Sequence, residues 1–352
     1  MNLTDLKKTV DLHDTSLTRR QFFRRNAMGL GSAALASLLP KELMGDISGG
    51  NSGTSHFPAR AKRVLVISLV GAPSQFAPCD YKPHLQKEFK TVIKDFLVRS
   101  GQRLTGMTSG QSIVPVGPSG ADCFQYGENG TWISDLLPYT GKMADDICVI
   151  KSMYTDAINH EPANQLMYTG SMVAGRASMG SWLSYGLGSL NQDLPTFCVL
   201  HAQHSSPYSN VQAISARLWG AGFLPGKHAG VALRSAGDPV LYLKNAPGIS
   251  RELRRKMLDG LGTLNDPSYA AIGDPEIQTR IAQYELAYRM QTSVPELTDI
   301  SDEPEHVLDA YGPDVRKPGT FAANALLARR LVERDVRCVQ LFHMGWDQHG
   351  NL

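Results

Sequence analysis

Apolar residues gather along this chain in a few short, dense runs, separated by stretches where they recur every third or fourth position. The first run, Arg63-Val64-Leu65-Val66-Ile67-Ser68-Leu69-Val70-Gly71, is almost unbroken and β-branched. Such a run predicts a strand covered on both faces in a parallel sheet. Ile147-Cys148-Val149-Ile150 and Phe197-Cys198-Val199-Leu200 predict further short buried strands, and Val336 to Phe342 predicts a last one. The helix before that last strand, Thr320 to Asp335, carries Phe321, Leu327 and Leu331 at helical spacing, with Arg329, Arg330, Glu333 and Arg334 expected to face water. A second helix, Pro275 to Met290, places Ile277, Ile281, Tyr284 and Tyr288 along one stripe. Strands alternating with helices predict an α/β sandwich. The Gly- and Pro-rich connections at 101–130 and 205–250 are long, and long connections in compact domains often carry function.

The 352 residues suffice for one or two domains. A formal charge of +2 gives no electrostatic reason to expect nucleic acid as a partner. The five cysteines are scattered with no Cys-x-x-Cys pair, which signals neither a zinc knuckle nor a disulfide scaffold. Cys148, Cys198 and Cys338 lie inside apolar runs and are expected to fill the core. The basic residues at 19–25 belong to another pattern. Thr18-Arg19-Arg20-Gln21-Phe22-Phe23-Arg24-Arg25 precedes a weakly apolar run from Ala27 to Leu39, which resembles a twin-arginine export signal. The alternative is a surface amphipathic helix with basic flanks. Residues 1–44 are thus assigned to a signal segment and the Gly/Ser-rich residues 45–60 to a flexible linker. This reading puts the mature protein in the periplasm or outside the cell, with the export machinery as a partner. The apolar run is too short to span a bilayer as an ordinary helix, so no transmembrane helix is expected in the mature chain.

Chemistry-bearing residues collect after the predicted strands, where open α/β sheets bind ligands. Asp347 and His349 stand two apart, and in an extended segment they point to one side, so a carboxylate and an imidazole can meet one metal ion. Zinc requires at least three protein ligands, so this pair alone is not a site, and a solvated turn explains it as well. Gly71-Ala72-Pro73-Ser74-Gln75 brings backbone close to a ligand and presents the Ser74 hydroxyl, as a nucleophile, an anion-binding group or an ordinary turn serine. Asp80 offers a further carboxylate, or a turn residue before Lys82-Pro83. Asn159-His160-Glu161-Pro162 follows the predicted strand at Cys148, and Ser178 is a predicted N-cap beside Arg176. A helix N-terminus next to Arg176 would attract phosphate or sulfate, with His160 near it. A surface ion pair for Arg176 and a hydrogen-bonded core histidine for His160 are the competing readings.

The motifs Asp80-Tyr81-Lys82-Pro83, Ile158-Asn159-His160-Glu161-Pro162, Gly175-Arg176-Ala177-Ser178-Met179-Gly180-Ser181-Trp182, Gly222-Phe223-Leu224-Pro225-Gly226-Lys227 and Gly345-Trp346-Asp347-Gln348-His349-Gly350-Asn351 occur in order. Together they resemble the DUF1501 family (domain of unknown function 1501), whose members resemble the alkaline-phosphatase and sulfatase superfamily. The resemblance implies an alkaline-phosphatase-like three-layer α/β sandwich with a mostly parallel sheet, of which residues 61–352 would be the N-terminal part. It implies a divalent metal, zinc or manganese, held by Asp347, His349 and, more weakly, Asp80. Substrate contacts would come from Arg176 and His160, with Ser74 as a nucleophile. Family members continue past the Trp-Asp-x-His-Gly motif with Glu-Arg and Asp-His segments, so the chain is expected to be truncated at its C-terminus and its sheet incomplete. The family's first loop resembles Gly-Gly-Pro-Ser-x-x-Asp-Thr-Phe-Asp, and here the Asp-Thr pair is Ala77-Pro78. Alanine cannot bind metal, and proline has no hydroxyl and no backbone donor. The formylglycine signature Cys-x-Pro-x-Arg or Ser-x-Pro-x-Arg is missing as well.

The implied function is an exported, metal-dependent hydrolase of phosphate or sulfate esters, partial or impaired in this chain. The alternatives are a non-catalytic envelope module binding carbohydrate or a partner, or a gene fragment without independent function.

Overall fold

A computed structural model describes residues 60–352 except 77, 90, 93–97, 100, 102–108, 112–115, 118–120, 204–208, 211–213, 236, 242 and 349–352. The elements run in chain order β1 (Val64–Leu69), α1 (Pro83–Lys87), β2 (Cys123–Tyr126), β3 (Thr131–Ser134), α2 (Pro138–Lys142), α3 (His160–Thr169), α4 (Met179–Leu187) and β4 (Phe197–Ala202). They continue with β5 (Ser209–Asn210), β6 (Val231–Leu233), α5 (Arg251–Ile272), α6 (Pro275–Thr298), α7 (Glu305–Tyr311), α8 (Phe321–Glu333), β7 (Cys338–His343) and β8 (Asp347–Gln348). Two compact units divide the chain, and Arg63–Asn265 with Pro275–Leu352 carries the sheet. The described part of the other unit is residues 60–62 and 266–274, the latter being the end of α5 and the bend after it.

The principal sheet is four-stranded in the order β1-β7-β4-β6, with every neighbouring pair parallel. β7, the last strand of this sheet in chain order, is therefore an inner one, and its sequence fits that place: five of its six residues are buried. Alternate side chains go to opposite faces. On one face Val339 and Leu341, with Cys198 and Leu200, meet Met290, Val294 and Leu297 of α6 and Ala328 and Leu331 of α8. On the other, Cys338 and Phe342, with Phe197 and Val199, pack against Tyr168 of α3, Leu183 of α4 and Leu218. Each fully buried Leu, Val or Phe contributes roughly 1.5–3 kcal/mol of apolar burial. The helices begin where side chains cap them. Asn159, Ser178 and Thr320 accept from backbone amides at the starts of α3, α4 and α8, satisfying donors that a helix N-terminus otherwise leaves unpaired.

Several expectations change. The first strand is an edge strand of this sheet, and Leu65 and Ile67 are 42% and 51% exposed, so its face toward α8 is not covered as a doubly buried strand would be. Its uniform hydrophobicity reports one well-packed face only. Residues 147–150 form no strand, and Cys148 and Ile150 are exposed. Four apolar residues without a pairing partner do not make a strand. Cys198 and Cys338 do fill the core. Arg330 does not face water: it is 3% exposed. The connection at 101–130 contains β2, which pairs antiparallel with β3 just beyond it, and α6 runs past Met290 to Thr298.

Candidate functional site

The carboxyl ends of β1 and β7 converge on one backbone knot. Val70 donates its amide to the His343 carbonyl at 2.8 Å, and the Trp346 amide returns to the Val70 carbonyl at 3.0 Å. β8 then pairs antiparallel with β5, placing Asn210 opposite Asp347. Gly71 (φ +97°) and Ala72 (φ +58°) both take left-handed backbone here. Gly71 has a reason: a Cβ on it would lie 2.4 Å from the Asp347 amide nitrogen. Only a glycine lets the two segments touch.

Helix α3 delivers the opposing group. Asn159 Oδ1 accepts from the His160 amide at 2.9 Å, which starts the helix at His160. The His160 imidazole then reaches Asp347, with Nε2 3.5 Å from Oδ1 and side-chain exposures of 36% and 12%. That gap exceeds the ~2.7–2.9 Å of a charge-assisted hydrogen bond. It is close to the spacing of two ligands on one ion, since a nitrogen and an oxygen each ~2.1 Å from a tetrahedral centre stand ~3.4 Å apart. The donor set, an imidazole and a carboxylate, suits zinc or manganese. Among the described residues no group of three metal-ligating side chains forms. His349 lies outside the described residues, and so does Ala77.

The other predicted site residues do not join this pair. Ser74 is exposed in the loop after β1. Asp80 accepts an ion pair from Lys82 at 2.9 Å, as a local turn carboxylate does. Arg176 is exposed, and its backbone packs under Gly222, where a Cβ would meet the Arg176 carbonyl carbon at 2.4 Å. Ser178 caps α4 as expected, accepting from the Ser181 amide at 3.3 Å. His160 does not follow a strand at Cys148, because no strand forms there.

Residues that periodicity did not single out complete the surroundings. Glu161 pairs with Arg217 at 3.7 Å beside His160. The His343 ring stacks on Phe321 with centroids 4.4 Å apart, and its Nδ1 accepts from Trp346 Nε1 at 3.1 Å. An indole N–H only donates, so His343 Nδ1 is the acceptor and Nε2 carries the proton. Burial depresses its pKa, which keeps the ring neutral at pH 7. In this tautomer neither nitrogen is free to ligate, and His343 acts as a support for the Trp346 turn. His201, on β4 between Trp219 and Phe342, is also pushed toward the neutral form by burial. Both histidines were hidden in apolar surroundings where spacing carries no signal.

Residues 61–352 match the family model described as protein of unknown function, DUF1501. The chain belongs to the DUF1501 family. No curated protein and no solved structure matches it. The family assignment spans β1 through Leu352, so it includes both halves of the His160–Asp347 pair. No helix among the described residues is long and apolar enough to cross a membrane.

Proposed function

We propose that this DUF1501 protein is an exported, metal-dependent hydrolase of phosphate or sulfate esters on an alkaline-phosphatase-like scaffold, with His160 and Asp347 as two ligands of a zinc or manganese ion. The observation that carries the reading is the 3.5 Å separation of His160 Nε2 and Asp347 Oδ1 at the carboxyl ends of parallel strands. A bound divalent cation supplies Lewis-acid polarisation of an ester and a lowered pKa for water. The protein's own part is positional. Asn159 fixes the first turn of α3 and hence His160; the Gly71 contact and the β5 pairing fix Asp347. His349 is proposed as a further ligand. Export through the twin-arginine route is part of the same proposal, motivated by Arg19-Arg20 and the apolar run after them.

Elemental analysis of the full chain tests this, on wild type and on a His160→Ala/Asp347→Asn double variant, with aryl phosphate and aryl sulfate hydrolysis measured alongside. Near-stoichiometric zinc or manganese in wild type, falling about tenfold or more in the double variant, is expected. Equal metal content in the two rejects the site. A second reading, a binding module on the same scaffold, is favoured by Ala77-Pro78 in the first loop and by Asp80 being engaged with Lys82. It predicts bound metal without turnover of either ester.

A further inference from the structure

The opposite end of the sheet holds a cleft of mixed polar and apolar lining. It is about 280 Å³ in volume and opens between the start of β4 (Thr196, Phe197), the start of β6 (Val231) and one stripe of α6 (Ala282, Leu286, Arg289). Among the described residues two ionisable side chains line it, and both are cations: Lys227, from the 3-10 turn Gly226–His228, and Arg289. Among the described residues no carboxylate lines the cleft. Glu285, one turn before Arg289, is forked by the guanidinium of Arg255 at 2.7 and 2.5 Å and meets the Arg289 charge through space, as a smaller influence. Arg289 Nε is shielded from solvent and has no hydrogen-bond partner among the described residues.

That arrangement is costly as it stands. Two positive charges face one cleft, Lys227 from its exposed rim, and the shielded Arg289 Nε–H has no partner among the described residues, where such groups are ordinarily satisfied. Two of the other polar side chains around the cleft are engaged elsewhere. Asn191 spends its side chain on the Asp193 and Leu194 amides and on the Asp335 carbonyl, and the Ser184 hydroxyl meets His228 Nδ1 at 3.0 Å. An oxyanion answers both deficits at once, since it is multiply accepting and negatively charged.

We propose that this cleft binds the oxyanion group of a small ligand (phosphate, sulfate or carboxylate), with Arg289 and Lys227 as its cationic contacts. The site is separate from the His160–Asp347 pair. Burial and the neighbouring Lys227 charge both hold the His228 imidazole below its usual pKa, so the ring beside Ser184 is neutral and contributes no third charge at pH 7. The cleft therefore presents two positive charges, which a dianion such as sulfate balances in full and a carboxylate balances by half.

Titration calorimetry on the full chain, with inorganic phosphate, sulfate and acetate at fixed ionic strength, tests the proposal. Saturable one-site binding of at least one of them is expected, weakened about tenfold or more in Lys227→Gln and in Arg289→Gln. The anion that binds tightest identifies the ligand group. Lys227 is exposed, so its variant leaves the fold intact even if Arg289→Gln does not. Saturable binding that survives in His160→Ala assigns the anion to this cleft. No saturable binding of any anion, unchanged affinity in Lys227→Gln, or loss of binding in His160→Ala instead would overturn it.

Discussion

Gly71 and Asp347 meet backbone to backbone. A methyl group at Gly71 would stand 2.4 Å from the Asp347 amide nitrogen and 2.6 Å from its Cβ, in a residue whose φ is +97°. One glycine thereby holds the exit of the first strand against the segment bearing the proposed ligand. Gly71→Ala is expected to destabilise by roughly 2–4 kcal/mol, adding left-handed strain to a clash that only backbone movement relieves. Gly170→Ala is the control. Gly170 has φ +69° at the end of α3 and nothing within 4 Å, so it should lose only the strain, about 1–2 kcal/mol. Denaturant unfolding of both variants measures the difference. Equal losses would mean that the Asp347 contact contributes nothing.

The next residue reverses the sign. Ala72 sits at φ +58° in the same loop, and its amide closes a turn on the Leu69 carbonyl at 3.0 Å. Left-handed backbone costs an alanine about 1–2 kcal/mol, while glycine's extra unfolded-state entropy offsets about 0.4–1 of that. Ala72→Gly is therefore expected to stabilise the protein by roughly 0.5–1 kcal/mol, read as a higher melting temperature. A lower one would show that the Ala72 methyl packs favourably enough to outweigh its backbone strain.

These two positions also show what the chain disclosed before folding. The runs at Phe197 and Val336 are true strands because they are apolar and buried at most positions, as a central parallel strand requires. The run at Val64 looks the same but ends at a sheet edge, since a run of side chains does not report which neighbours its strand has. Ile147 to Ile150 is apolar, yet no partner pairs with it. The helix cap at Ser178 was legible because capping is local. The candidate site was half legible. Asp347 and His160 were visible as residue types, but their 3.5 Å meeting depends on how α3 docks beside β7, which no local spacing encodes. Arg330 was misread for the same reason: its helix stripe looks solvent-facing until the end of α6 arrives against it.

Arg330 and Glu303 carry the prediction for pH. The buried Arg330 guanidinium closes the C-terminus of α6 by donating to the carbonyls of Glu296 (3.1 Å), Leu297 (2.9 Å) and Asp299 (2.6 Å), and it also pairs with Glu303. Arg329 reaches Glu303 too, at 2.5 Å. Its hydrogen bond is the largest influence on the Glu303 carboxyl, and with help from Arg330 it outweighs burial and holds the pKa below the ordinary glutamate value. A carboxyl depressed in the folded state stabilises fully above its unfolded pKa of about 4.3, and that contribution disappears as pH falls through the folded value. Glu303→Gln should therefore be less stable than wild type at pH 7, with the gap closing in acid below pH ~4. Arg330→Ala should lose about 3–5 kcal/mol at pH 7, because it leaves three helix-end carbonyls without their donor and Glu303 with Arg329 alone. Denaturation midpoints of the three proteins from pH 7 to pH ~3 measure this, and wild-type and Glu303→Gln curves that stay parallel throughout would remove Glu303 from the acid response.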